Sequence, residues 1–171
     1  MRRLSFRGRP AHPFVAIVIL VAADILAGVN CVFCDLVAGR APARWVGREE
    51  GAAAFLTLPE RALAPGHTLV IPTEHAVGLQ DVSPQALMRV MALVQKVAHA
   101  MAVGLGAAGV NVLNASGPGS EQSVPHLHFH VVPRWPDDGF TTWPRERSRR
   151  IITGDPGAAL AAAVGILPSA E

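Results

Sequence analysis

Three of the chain's seven histidines, His126, His128 and His130, fall at alternate positions in the apolar stretch VPHLHFHVVP. An imidazole near neutral pH can act as a nucleophile, a proton carrier or a metal ligand, so the spacing has to decide among those roles. Val124 to Val132 is rich in β-branched and aromatic residues and Pro133 closes it, so the stretch reads as a strand. Residues two apart on a strand share a face. The three imidazoles then face one way, and Leu127, Phe129 and Val131 the other. Neighbouring histidines lie roughly 7 Å apart and the outer two about 13 Å. Two neighbours can therefore chelate one metal, but three cannot without distorting the strand. The spacing predicts a division of labour.

Other residues could join them. Cys31 and Cys34, the chain's two cysteines, form a CxxC pair that on its own reads as a redox pair or a disulfide. The loop NASGPGSEQS ahead of the histidines is glycine-rich, and its N–H groups between Gly117 and Glu121 can serve as anion donors. The isolated histidines carry less. His67 reads as a packing or hydrogen-bonding residue at a strand start, His99 as a solvated helix residue, and His12 falls in the N-terminal segment.

These groups need elements to position them. ARWVG and GAAAFLTL read as short strands joined by a turn between Arg48 and Gly51, and HTLVIPTEH as a strand closed by Pro72. Ser83 followed by Pro84 marks a helix start. Leu87, Met91, Val94, Ala98 and Met101 recur three or four apart, which predicts an amphipathic helix of about five turns with that face inward. GVNVLN is a further strand. WPDDGF and TTWPRERSRR lack periodicity, and DPGAALAAAVGIL predicts a weak helix outside the core. The order predicts an α+β fold on an antiparallel sheet.

Composition narrows the function. A chain of 171 residues, 50% hydrophobic and 16% charged, is one domain with a real core. The net charge of +2 is carried by the ends: between residues 10 and 144, seven Lys/Arg face ten Asp/Glu. A nucleic-acid surface would put a basic face on the folded body, so no nucleic-acid partner is expected. Residues 1–30 have a basic start and an apolar run from Phe14 to Ala23, interrupted by Asp24. The run is too short to span a membrane, and no membrane partner is expected. The segment resembles a signal peptide. Alternatively, Val29 is the true start, a GTG codon read as methionine. The second reading is favoured, which places the protein in the cytoplasm.

The motifs together resemble the histidine triad (HIT) family. HLHFHVV fits its His-x-His-x-His pattern, and CVFCDLVAGRAPA, AFL, APGHTLVIPTEH, GVNVLN and VVPR occur in the family's order. The resemblance runs from about Cys31 to Trp143, closest to the branch of the nucleoside phosphoramidate hydrolases. It sets off a HIT domain over residues 31–143, with 1–30 an extension and 144–171 a basic, Ala/Gly-rich tail. It implies a HIT-like α+β fold, with a mostly antiparallel sheet, a long packed helix and sheets joined across a homodimer. It also implies a hydrolase or transferase for a purine nucleotide or nucleoside phosphoramidate, working through a nucleotidyl-histidine.

Matched residue by residue, the resemblance implies His128 as nucleophile, with His130, Gln122 and Ser123 around the phosphate and leaving group. Asn114, Gly117, Phe33 and Thr57 are the candidate substrate-binding residues, with Asn114 adjacent to the family's asparagine position and Thr57 nearest to its aspartate. Cys31, Cys34, His75 and His126 match a structural zinc site, a closed Cys2His2 set. Three positions depart from the pattern: Glu121 where many members have glycine, Ala115 where the related branch has asparagine, and Thr57 where an aspartate often holds the ribose hydroxyls. Glu121 is expected to disfavour highly charged substrates, and Thr57 to weaken the grip on the ribose. Two other readings stand beside this one. One takes His126 and His128 as a catalytic metal chelate, and the other takes the chain as a nucleotide-binding or interaction module without activity.

Overall fold

The computed structural model describes residues 31–144 and 146–166, so the extension over 1–30 lies outside the described residues. The chain opens with a short helix, α1 (Val32–Val37), which Cys31 precedes. Strands β1 (Trp45–Glu49) and β2 (Ala52–Leu56) follow as a hairpin turning at Glu50 and Gly51. Gly51 takes φ +79°, and a Cβ there would stand 2.5 Å from Arg89 Cδ, so the turn requires glycine. A single 3-10 turn, Pro59–Arg61, leads towards β3 (Thr68–Pro72). Strands β4 (Gly109–Leu113) and β5 (Phe129–Arg134) complete one sheet in the order β1-β2-β3-β5-β4. Every neighbouring pair is antiparallel.

Helix α2 (Pro84–Leu105) packs across one face of the sheet. It starts where Ser83 accepts the Ala86 N–H at 3.1 Å and Pro84 presets the first turn. Gly106, left-handed at φ 62°, ends it. Its 22 residues outrun the expected five turns. The inward face also differs from expectation. Ala86, Val90, Leu93, Val94, Val97 and Met101 are buried, whereas Met91 is 42% exposed and Leu87 and Ala98 lie at the margin. Leu87 and Met91 fit the periodicity, but the stripe of alanine and valine one position round fits the close approach to Ala52, Ala54 and Val70 of the sheet. The opposite face is covered by α1, whose Phe33 and Leu36 pack with Phe55, Leu69 and Ile71.

The histidine stretch enters the sheet later than its composition suggests. Only Phe129–Arg134 forms β5, and Val124 to His128 pairs with no strand. Pro125 has no N–H to give a ladder, and the His126 N–H turns back to the Val124 carbonyl at 2.8 Å. The Leu127 N–H instead reaches the Ala76 carbonyl at 2.6 Å. The alternation of faces survives without the ladder: Leu127, Phe129 and Val131 join the α2 side, while His126 and His128 meet Phe33 on the other. Pro133 lies inside β5 rather than ending it. It sits opposite Val110 of β4, past the last β3 partner at Val131, so no bond to β3 is lost.

The C-terminal segment forms α3 (Pro156–Ile166), exposed throughout its described side chains and outside the core, as its weak pattern predicts. Lys96, the one lysine, ties α2 to β1 through Glu49 at 2.8 Å, and Arg89 reaches Glu50 at 2.9 Å.

Leu127 has no exposed surface and stands between His126 and His128, with its side chain in the core against α2. Leu127→Ala is expected to lower unfolding free energy by about 3 kcal/mol through the cavity it leaves, measured by urea denaturation.

Candidate active site and zinc centre

The residues that face away from α2 divide into two centres that share one backbone. The first is the metal cluster. Cys31 and Cys34 sit one helical turn apart at the start of α1, and His75 follows β3. Cys31 Sγ lies 3.3 Å from His126 Nδ1, Cys34 Sγ 3.3 Å from His75 Nδ1, and Cys34 Sγ 3.6 Å from His126 Nδ1. All four ligand atoms fall within 4.8 Å of one another. Bonds of about 2.3 Å to sulfur and about 2.1 Å to nitrogen, set tetrahedrally, give donor separations near these. The donor set, two thiols and two imidazoles, is one that zinc takes.

The surroundings fit the same ion. His126 Nε2 donates to the Pro72 carbonyl at 3.1 Å, which leaves the Nδ1 lone pair for the metal. Burial keeps the His126 ring neutral, its pKa lowered to about 4, and the neutral ring is the ligating form. Burial raises the Cys34 thiol to about 11, with the hydrogen bond and charge of Cys31 and the charge of Asp35 adding to it. Two thiolates this close are held only by a cation between them. Cys31, Cys34, His75 and His126 thus form a structural zinc site, closed by four protein ligands and tying α1 to the histidine stretch. His128 is not among the ligands, so the two histidines of a catalytic HxH chelate do not share a metal.

The second centre is the remaining pair. His128 Nδ1 donates to the His126 carbonyl at 2.7 Å, which leaves Nε2 with the lone pair. Nε2 has no hydrogen-bond partner among the described residues, and the His128 ring lines a cavity. Burial lowers the His128 pKa, partly offset by the bond to the His126 carbonyl. His130, opposite Leu69 of β3, lies with its ring centroid 5.0 Å from that of His128. Its pKa falls to about 4, through burial and then the neighbouring charges of His128 and His67.

His67 completes a chain of fixed tautomers. The Leu63 N–H donates to His67 Nδ1 at 3.1 Å, so the His67 proton is on Nε2. That proton is given to His130 Nδ1 at 2.9 Å, so His130 carries its own on Nε2. The site therefore pairs a ring with a free lone pair, His128, with a ring that donates, His130. The sequence reading gave His67 a packing or hydrogen-bonding role at a strand start, without naming its partner. Its link to His130 follows from register: Leu69 opposes His130, so His67, two residues earlier, shares that face. The signal was present once β3 was taken as the neighbour of β5.

A cavity of about 910 Å³ opens beside these rings. Phe33, Thr57, Ser123, His128 and His130 line it, with an apolar wall that includes Leu36, Phe55 and Leu69. Phe33 stands edge-on to His128 at 5.4 Å. Three other predicted residues lie outside the lining. Asn114 donates to the His128 carbonyl at 2.9 Å and accepts from Ser116, so it braces the backbone. Gln122 accepts the Gly117 N–H at 2.9 Å and donates to the Val77 carbonyl at 2.6 Å. Its amide is occupied in joining two loops rather than turned to the cavity. Gly117, at φ +87°, belongs to that brace. Arg44 and Arg61, which nothing in the sequence singled out, do line the cavity.

Glu121 is exposed, absent from the lining and held at φ 63°. That left-handed backbone favours glycine, which gives the departure a conformational meaning.

The HIT domain model matches residues 38–137. A zinc-bound histidine triad family protein from Mycobacterium smegmatis is 38% identical, with a TM-score of 0.63, over 70% of this chain and 85% of that one. A HIT family member from Bacillus subtilis is 30% identical, with a TM-score of 0.68, over 82% of this chain and 99% of its own. The Bacillus subtilis protein hit is 36% identical over 65% of this chain and 76% of its length.

Purified protein is expected to carry one zinc per chain. Cys31→Ser should lose it and unfold at a lower temperature, as read by elemental analysis and calorimetry. Glu121→Gly should raise stability by about 1 kcal/mol by relieving the left-handed backbone, measured by urea denaturation.

Proposed function

The chain belongs to the HIT domain family, and from that premise we propose that it is a nucleotide hydrolase or transferase acting at the phosphorus next to a nucleoside. One observation carries the reading: His128 is held through Nδ1 on the His126 carbonyl at 2.7 Å, which leaves Nε2 uncommitted, and its ring lines a cavity of about 910 Å³. A neutral imidazole with one nitrogen fixed and the other free is a nucleophile aimed in one direction.

In the proposed reaction, His128 Nε2 forms a bond to the phosphorus as the P–N or P–O bond to the leaving group breaks. The Nδ1 proton stays on His128, and the His126 carbonyl stabilises the positive ring that results. The His130 Nε2–H, set by His67, donates to a phosphate oxygen as charge develops there. Ser123 is the hydroxyl in the lining that can meet the leaving group. Water then breaks the P–N bond of the nucleotidyl-histidine, releasing a nucleoside monophosphate and restoring the neutral ring. The apolar wall suits a purine base, and nucleoside phosphoramidates or related phosphoanhydrides are the proposed substrates.

Zinc is structural in this reading: it anchors α1, whose Phe33 packs on His128. We also propose a homodimer through the free edge of β4, where Val112 is 42% exposed. A zinc site built on two thiolates supports a reducing, cytoplasmic location.

His128→Ala should lower kcat on an adenosine phosphoramidate by about 10⁴-fold or more, while zinc content and the folded circular dichroism spectrum are kept. Quenched wild-type reactions should yield a nucleotidyl adduct on His128 by peptide mass spectrometry. Wild-type turnover in the variant would end the proposal.

A further inference from the structure

The cavity beside His128 is mixed in chemistry. Its wall is largely aliphatic and aromatic, with no aspartate or glutamate among the described lining residues. Among those residues the permanently charged groups are Arg44, just ahead of β1, and Arg61, at the end of the 3-10 turn. Neither guanidinium takes part in an ion pair among the described residues, whereas Arg40 pairs with Asp35, Arg89 with Glu50, Lys96 with Glu49 and Arg134 with Asp138; Arg48, also without an ion pair, rests on the Trp45 ring and donates to the Val37 carbonyl. Glu60, next to Arg61, is outside the lining and pairs with neither.

A second cavity of about 420 Å³ adjoins the first and shares Arg44, Leu56, Thr57 and Pro59 with it. Thr57 thus stands at the junction of the two spaces with Arg44 beside it. Arg44 lies just ahead of β1, Thr57 just past β2 and Arg61 at the end of the 3-10 turn. The phosphorus-handling residues come from a different segment, Ser123 to His130. The arginines are therefore placed for a part of the ligand other than the phosphorus under attack.

Ribose hydroxyls are held by carboxylates, which accept from both hydroxyls of a diol. A phosphate ester on the ribose reverses the requirement, because it is anionic and accepts only. An arginine in place of the acid is the known physical solution to that problem in unrelated nucleotide folds. Here no carboxylate stands among the described lining residues, and two unpaired guanidiniums and the Thr57 hydroxyl line the cavity on a segment apart from Ser123.

Building on the nucleotide reading above, we propose that Arg44, Arg61 and Thr57 bind a second phosphate, carried on the ribose 2′ or 3′ oxygen. The preferred substrates are then nucleotides phosphorylated on both the ribose and the 5′ position, and the hydrolysis product is a nucleoside bisphosphate. The ribose phosphate is a spectator. The bond made and broken at the 5′ phosphorus is unchanged.

The test is binding, measured by calorimetry on the zinc-loaded wild-type protein, with adenosine 5′-monophosphate, adenosine 2′,5′-bisphosphate and adenosine 3′,5′-bisphosphate. One of the two bisphosphates is expected to bind about tenfold or more tighter than the monophosphate, and which one identifies the oxygen. In Arg44→Ala/Arg61→Ala the ratio should fall towards one. Equal affinities for all three ligands in the wild type, or an unchanged ratio in the double variant, would overturn the inference. Because binding needs no turnover, a bisphosphate preference in a protein that cleaves no phosphoramidate would sustain this site and reject the proposed hydrolase alone.

Discussion

Each ring of the histidine cluster has one nitrogen committed to a neighbour, and that commitment decides what the other nitrogen can do. His126 gives Nε2–H to Pro72 and keeps Nδ1 for zinc. His128 gives Nδ1–H to the His126 carbonyl and keeps Nε2 for the cavity. His67 takes a proton from Leu63 and passes its own towards His130. Four chemically identical side chains are held in fixed tautomers by their hydrogen-bond partners, three through backbone groups and His130 through the His67 ring. Burial sharpens the assignment by keeping all four neutral, since a charged ring in this setting has no compensating carboxylate.

The sheet makes those contacts repeatable. Pairing of β3 with β5 fixes His67 against His130, and β4 on the far side carries the chain to Asn114, which braces the carbonyl of His128. Leucine, phenylalanine and valine between the histidines lock the stretch to α2. The loop ahead of it is braced separately, through Gln122 between Gly117 and Val77. The geometry of the histidine site is thus held from three directions by groups outside the cavity lining.

Much of this was legible in sequence because periodicity reports faces well. The alternation of histidines gave the common face, the Ser-Pro pair gave the start of α2, and Gly51 gave the hairpin turn. Where the reading failed, the cause was tertiary. Leu87 and Met91 fit a helical stripe as well as Ala86 and Val90 do, and only the closeness of an alanine-rich sheet selects the smaller residues. Pro125 kept the first two histidines out of the ladder although their neighbours favour strand. The part played by His67 depends on a pairing between residues sixty-three apart in the chain. Gln122 looked like a phosphate contact by motif, and its amide instead joins two loops that no local pattern connects.

His126 serves the two centres with different atoms. Its ring belongs to the zinc, but what it offers His128 is its main-chain oxygen. Any amino acid supplies that oxygen. A lineage that discarded the cysteines and replaced this imidazole would forfeit the metal, yet the genetic code would still deliver the acceptor that orients the His128 ring. Loss of the ion and loss of chemistry are therefore separable events in evolution, although the two centres meet at a single residue.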